Sequence, residues 1–150
     1  MSRYVARNEF FGCLIFDREN NNYIPFDSEA TRFFRSGALR EPTEEKEKRN
    51  FTDFVNSCKA LGILDEREKF PHPWLDNRTN DDFLSAPLKI SLNITSDCNL
   101  RCRHCYALAG GTDEKGMAFE RLKHLVDEMA RNGVFLLSIK GGEPFSHPAL

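Results

Sequence analysis

The chain of 150 residues is long enough for one ordinary domain or two small ones. A net charge of -2 with 29% charged residues gives no sign of a general nucleic-acid or membrane-surface binder, and 40% hydrophobic residues with 13 Phe argue against a disordered chain. No apolar stretch reaches bilayer length and residues 1–8 lack a secretory signal, so a cytoplasmic protein with no membrane partner is expected.

Phe10-Phe11-Gly12-Cys13-Leu14-Ile15-Phe16 is a short apolar run, Asp17 to Asn22 reads as a polar turn, and Tyr23-Ile24-Pro25-Phe26 reads as the returning strand of a β-hairpin. Pro25 lacks an N–H, so that strand is expected to lie at a sheet edge or to end there. The spacing then predicts a helix capped near Asp27 or Ser28, burying Ala30, Phe33 and Phe34 and stopping at Gly37. A longer helix is expected after a Thr43 cap, with Glu44 and Glu45 in its first turn. Its apolar face would be Phe51, Phe54, Val55 and Cys58, and Gly62 its stop. With Gly62-Ile63-Leu64 after it, residues 1–66 describe a winged-helix-like α+β domain. Glu44, Glu45, Glu47 and Asp53 give the longer helix a mixed-charge face, which argues against DNA as its partner.

Residues 67–87 read as a linker: Pro71, Pro73, Pro87 and the polar stretch 76–82 resist regular structure, while Phe70, Trp74, Leu75 and Phe83 can pin it to a domain surface. Trp74, the single tryptophan, is expected to pack between domains. Leu88 to Ile94 alternates apolar and polar residues, as in a strand that packs Leu88, Ile90, Leu92 and Ile94 under helices and turns Lys89, Ser91 and Asn93 to a polar cavity. After a loop at 109–112, a helix over about 117–132 would place Leu122, Leu125, Val126 and Met129 on one stripe and stop at Gly133. Val134 to Ile139 is the next strand. Strand, helix, strand is a βαβ unit with parallel strands, and ligands bind at the C-terminal ends of such strands.

Those ends carry the informative residues. Cys98, Cys102 and Cys105 lie within eight residues, and Gly141-Gly142-Glu143-Pro144 follows the second strand. Three thiolates can hold three irons of a 4Fe-4S cluster and leave the fourth open to a small molecule. Paired glycines let a backbone approach a ligand closely. The other two cysteines, Cys13 and Cys58, read as buried small residues, and an odd total with three clustered fits reduced thiols. A Cys3His zinc site using His104 is the alternative, disfavoured because the ligands crowd into one loop instead of forming two separated pairs.

In these residues the sequence resembles the radical S-adenosylmethionine (radical SAM) enzymes, whose cluster loop has the form Cys-x3-Cys-x2-Cys. The aromatic place before the last Cys is taken here by His104, with Tyr106 just after it. The resemblance implies a 4Fe-4S cluster on Cys98, Cys102 and Cys105. S-adenosylmethionine would bind on the open iron, with its amino group at Gly141, Gly142 and Glu143 and its adenosine portion near Tyr106. It further implies reductive cleavage to a 5'-deoxyadenosyl radical and an electron donor such as a flavodoxin or ferredoxin. Arg101 and Arg103 would either moderate the cluster's charge or face solvent.

The first segment resembles the leader-peptide recognition domains of peptide-modifying members of that family, which implies a ribosomally made precursor peptide as partner, added as a strand to the sheet edge. The expected fold is thus a winged-helix-like domain over 1–66 followed by the start of an α/β partial (βα)6 barrel over 88–150. A chain reaching Leu150 just past the second strand is expected to be the N-terminal portion of a longer enzyme. A zinc-binding winged-helix regulator and a peptide-binding module without catalysis are the alternative readings.

Overall fold

A computed structural model describes residues 1–37, 44–76, 82–110, 116–148 and 150. They form two compact units, Met1–Ser85 and Ala86–Leu150, so residues 67–76 and 82–85 of the expected linker pack with the first unit.

The hairpin is present and has a third strand before it. Strands β1 (Tyr4–Glu9), β2 (Gly12–Asp17) and β3 (Asn22–Asp27) pair antiparallel in sequence order. Gly12 sits at φ 145°, and a Cβ there would meet the Asp27 carbonyl carbon at 2.3 Å, so this close crossing needs glycine. At the β2–β3 turn Asp17 accepts from the Glu19 amide at 3.0 Å and from Arg3 Nη2 at 2.8 Å. As Pro25 indicated, β3 is an edge strand, with Pro25 opposite Leu14.

The other edge is closed by a short strand that the sequence did not suggest. Trp74 and Leu75 form β4, parallel to β1 with Ala6 opposite Trp74, and the Ala6 amide donates to Pro73 O at 3.0 Å. The Trp74 indole N–H donates to Asn8 Oδ1 at 2.9 Å, Arg35 stacks over its ring at 4.5 Å and also pairs with Asp76, and the ring packs on the first unit's core. The role expected for Trp74 between domains is therefore replaced by one inside this unit.

Helix α1 (Ser28–Ser36) starts where expected, with the Ala30 amide donating to Asp27 Oδ1 at 2.8 Å, and ends at Gly37 in the left-handed region. Helix α2 (Glu45–Leu61) ends at Gly62, again left-handed. The Thr43 cap lies outside the described residues. One face of the sheet, Tyr4, Ala6, Cys13 and Ile15, packs with Phe33, Phe34, Val55, Cys58, Ile63 and Leu64. Phe33 meets Phe51 edge-on at 5.4 Å and Phe26 meets Phe34 at 4.9 Å. The buried rings of Phe33 and Phe34 contribute about 1.5–3 kcal/mol each, and the half-buried Phe26 and Phe51 add to the aromatic cluster between sheet and helices.

In the second unit β5 (Lys89–Asn93) and β6 (Leu136–Lys140) pair parallel, Ile90 opposite Leu137, and α3 (Phe119–Arg131) connects them. The alternation predicted for β5 holds, with Lys89, Ser91 and Asn93 exposed. On α3, Leu122 is buried and Leu125 and Met129 are half-buried, but Val126 is 37% exposed. A two-stranded sheet is too narrow to cover both flanks of the helix stripe, and Val126 lies on the uncovered flank.

Candidate cofactor site

Past β5 the chain runs through Ile94 and Thr95, both buried, to Asp97, directly before the first clustered cysteine. Each carbonyl of residues 94–97 is taken by a different amide. Ile94 O accepts from Met117 N at 2.7 Å, Thr95 O from Gly142 N at 2.9 Å, Ser96 O from Gly110 N at 3.0 Å and Asp97 O from Glu143 N at 2.8 Å. This four-residue spine binds together the approach to α3, the far end of the cysteine loop and the Gly-Gly-Glu stretch. The two motifs separated by a helix and a strand in sequence are thus joined by backbone hydrogen bonds at the C-terminal ends of adjacent strands.

The spine also explains the glycines. A Cβ on Gly141 would stand 2.3 Å from Thr95 O, and one on Gly142 would stand 2.1 Å from Asp97 O. Gly141 also has φ 154°. Their immediate task is the approach of one backbone to another; the sequence suggested instead an approach to a ligand.

Glu143 has a second bond: its Oε1 accepts from the Phe145 amide at 3.1 Å, capping a 3-10 turn at Pro144–Ser146. The carboxylate is held by a neighbouring amide, which leaves it further acceptor capacity for an ammonium group.

In the cysteine loop, Cys98 and Cys105 are half-buried and Cys102 is exposed. Backbone N–H groups of Ala109, Ala107 and Leu108 hydrogen-bond the Cys105 sulfur, and the first two outweigh the opposing effect of burial, lowering its thiol below the ordinary value. The Leu100 amide lies 3.4 Å from Cys98 Sγ. Amides turned toward sulfur favour thiolates, so the donor set fits a soft-metal cluster. Among the described residues no three His, Cys, Asp or Glu side chains converge so as to hold one metal ion, neither Cys98, Cys102 and Cys105 by themselves nor those cysteines with His104.

Arg101 folds back on its loop, its Nη1 3.5 Å from Cys98 O, and Gly110 leaves the room: a Cβ there would lie 1.9 Å from that nitrogen. Arg103 and His104 are exposed, and Tyr106 is 85% exposed. Sequence reasoning missed Thr95, whose hydroxyl accepts from Asp97 N at 3.0 Å, and the buried His147, which bonds the Met117 carbonyl. Nothing in the local pattern marks Thr95; His147 is signalled by its place one 3-10 turn after Glu143.

Residues 92–150 match the radical SAM superfamily. This stretch of the chain belongs to it. It is an enzyme family whose cofactors are a 4Fe-4S cluster and S-adenosylmethionine. Mycofactocin maturase MftC of Mycolicibacterium smegmatis is 38% identical over 61 residues, covering 41% of this chain and 16% of the relative. The Bacillus subtilis antilisterial bacteriocin subtilosin biosynthesis protein AlbA is 26% identical over 111 residues, covering 74% of this chain and 25% of its own length. A crystal structure of Streptococcus suis SuiB bound to precursor peptide SuiA has a TM-score of 0.56 at 21% identity, covering 95% of this chain and 36% of SuiB. SuiB bound to S-adenosylmethionine superposes with 0.54 at 19% identity, covering 96% and 36%. The chain therefore spans between about a sixth and about a third of the length of these proteins, and the likeness to SuiB is one of fold. No helix among the described residues is long and apolar enough to cross a membrane.

Proposed function

We propose that this chain forms the cofactor-loading part of a radical SAM enzyme that modifies a ribosomally made precursor peptide. The spine at 94–97 carries the proposal: it links the Cys-x3-Cys-x2-Cys loop to the Gly-Gly-Glu stretch through four main-chain bonds. Cys98, Cys102 and Cys105 hold the cluster, Gly141, Gly142 and Glu143 receive the amino group of S-adenosylmethionine, and Tyr106 covers the adenosine side. When bound, the cluster supplies the electron that splits S-adenosylmethionine into methionine and a 5'-deoxyadenosyl radical, replenished by a flavodoxin- or ferredoxin-type donor. The chain's own residues bind, orient and shield: the amides near Cys105 stabilise a thiolate, and the Glu143 carboxylate offers the ammonium an acceptor. The second unit is read as the first part of a partial (βα)6 barrel.

The first unit is the winged-helix-like holder of the precursor peptide, which adds as a strand along β3. That edge has its own chemistry. The Tyr23 amide donates to Asn22 Oδ1 at 2.9 Å and Pro25 has no N–H, so a guest finds mainly carbonyl acceptors and contributes its own amides as donors. Maturase and bacteriocin-biosynthesis relatives, MftC and AlbA, support a peptide substrate.

Anaerobic reconstitution with iron and sulfide tests the reading. The reduced chain is expected to show a cubane electron paramagnetic resonance signal that changes on adding S-adenosylmethionine; a signal indifferent to it, or tetrahedral zinc without sulfide, overturns the assignment. Absence of affinity of the full chain for a short peptide encoded beside its gene would remove the peptide-holding role alone.

A further inference from the structure

His147 is 4% exposed and lies outside the residues assigned to cluster or ligand. Its Nε2 is 2.7 Å from the Met117 carbonyl oxygen. A carbonyl only accepts, so Nε2 bears the proton and donates. The His147 main-chain amide donates to Pro144 O at 3.0 Å, closing the 3-10 turn that Glu143 caps. The same edge of the ring abuts Gly116, where a Cβ would stand 2.5 Å from Cδ2 and 3.0 Å from Nε2. Met117 in turn donates to Ile94 O, the first carbonyl of the spine that holds Gly142 and Glu143. The imidazole thus fastens the segment leaving Glu143 to the segment entering α3, closing a loop of contacts around the end of β5.

We infer that His147 is a positioning residue for the S-adenosylmethionine amino-group site. By fixing the 3-10 turn against Met117, it sets the direction in which the Glu143 carboxylate and the Gly141 and Gly142 carbonyls face the ligand, without touching ligand or cluster. The inference rests on the reading of Gly141–Glu143 proposed above. A histidine that merely filled the core would stabilise the unit without favouring one ligand geometry.

The test uses the full chain, reconstituted and metal-free, with His147→Ala, His147→Gln and Gly116→Ala. His147→Gln keeps an amide N–H to offer Met117. Gly116→Ala leaves the imidazole intact but crowds it, and brings its methyl to 2.9 Å from Ile94 O as well. His147→Ala is expected to retain parental iron and sulfide while weakening S-adenosylmethionine binding, by equilibrium dialysis, about tenfold, the effect of one lost buried hydrogen bond. His147→Gln should recover to within about threefold and Gly116→Ala should resemble His147→Ala. In the metal-free chain, amide exchange at Gly142 and Glu143 should accelerate in His147→Ala more than at Ile90 or Leu92. Parental affinity in His147→Ala overturns the inference, as does uniform acceleration across the unit with equal losses in the Gln and Ala variants. If His147→Ala does not fold, parental affinity in both other variants overturns it. A parent chain that holds its cluster but does not bind S-adenosylmethionine removes the reading of Gly141–Glu143 and this inference with it; a parent that binds beside indifferent variants removes this inference alone.

Discussion

Glu143 donates its amide to the Asp97 carbonyl at 2.8 Å, which bonds the residue assigned to the ligand's amino group to the residue directly before Cys98. Cys98 and Glu143, the residues proposed to hold the cluster and to receive the amino group, are therefore referenced to one peptide unit. Under the proposed function such referencing would matter chemically, because a cluster and a ligand that react with each other need one fixed geometry. Loops anchored only at their ends would leave that geometry to chance.

Gly142→Ala is the sharpest probe of this coupling. Its backbone is not in the left-handed region, so the added methyl acts through its close approach to the Asp97 carbonyl, 2.1 Å from O, and to Ala109 Cβ at 3.0 Å. Overpacking of this kind costs about 1–3 kcal/mol. The expected outcome is faster amide exchange along β5 and β6 and weakened S-adenosylmethionine binding, while the Trp74 fluorescence transition, which reports the first unit, stays in place. Unchanged exchange at Glu143 would mean that the close contact relaxes freely.

Much of this arrangement was legible in the sequence because it is local. Phe33 and Phe34 between Asp27 and Gly37 specify a helix, its face and both its ends within eleven residues, and the cysteine loop and Gly-Gly-Glu stretch announce themselves by spacing. Strand β1 escaped because Arg7 and Glu9, both fully buried as side chains, satisfy each other and so read as a polar, exposed stretch. β4 escaped because Trp74 and Leu75 pair with Ala6 and Arg7 far earlier in the chain, a relation that periodicity cannot carry. The glycines were found for an incomplete reason: their need is set by Thr95 and Asp97 carbonyls that only the folded βα ends bring near.

The cysteines should divide by reactivity. Burial pushes the Cys13 and Cys58 thiols up to about 11, whereas backbone amides from Ala109, Ala107 and Leu108 lower that of Cys105. In the metal-free chain near neutral pH, iodoacetamide is expected to modify Cys105 well before Cys13 or Cys58, since only thiolate reacts. Peptide mass spectrometry over a time course checks this, and modification of Cys13 or Cys58 at a rate matching Cys105 would contradict it.

The buried pair in β1 should behave as a unit. Arg7 Nη2 lies 2.6 Å from Glu9 Oε1, and Glu9 Oε2 accepts from the Ser85 amide at 2.7 Å. Arg7→Met leaves a buried carboxylate without its cation and is expected to cost about 3–5 kcal/mol in a urea titration followed by Trp74. The double variant Arg7→Met, Glu9→Met should recover much of that loss, held short of full recovery by the Ser85 amide left behind. Equal losses in single and double variants would mean that the pair contributes no coupling.

Asp17 should govern part of the acid response of the first unit. Hydrogen bonds from Arg3 Nε at 3.1 Å and Nη2 at 2.8 Å, more than those from Asn20 and the Glu19 amide, hold its carboxyl well below the usual carboxylate range. Folding therefore binds the charged form more strongly than the unfolded chain does. The resulting stabilisation is complete above the unfolded value of about 4 and is lost as pH falls toward and through the depressed folded value. Urea midpoints followed by Trp74 fluorescence should fall between about pH 5 and pH 2 in the parent chain. In Asp17→Asn the midpoint should be lower at neutral pH and depend less on pH over that interval, because the titrating group is gone while Asn can still accept from the Glu19 amide. A variant whose midpoint falls as steeply as the parent's would assign the acid response to other carboxylates.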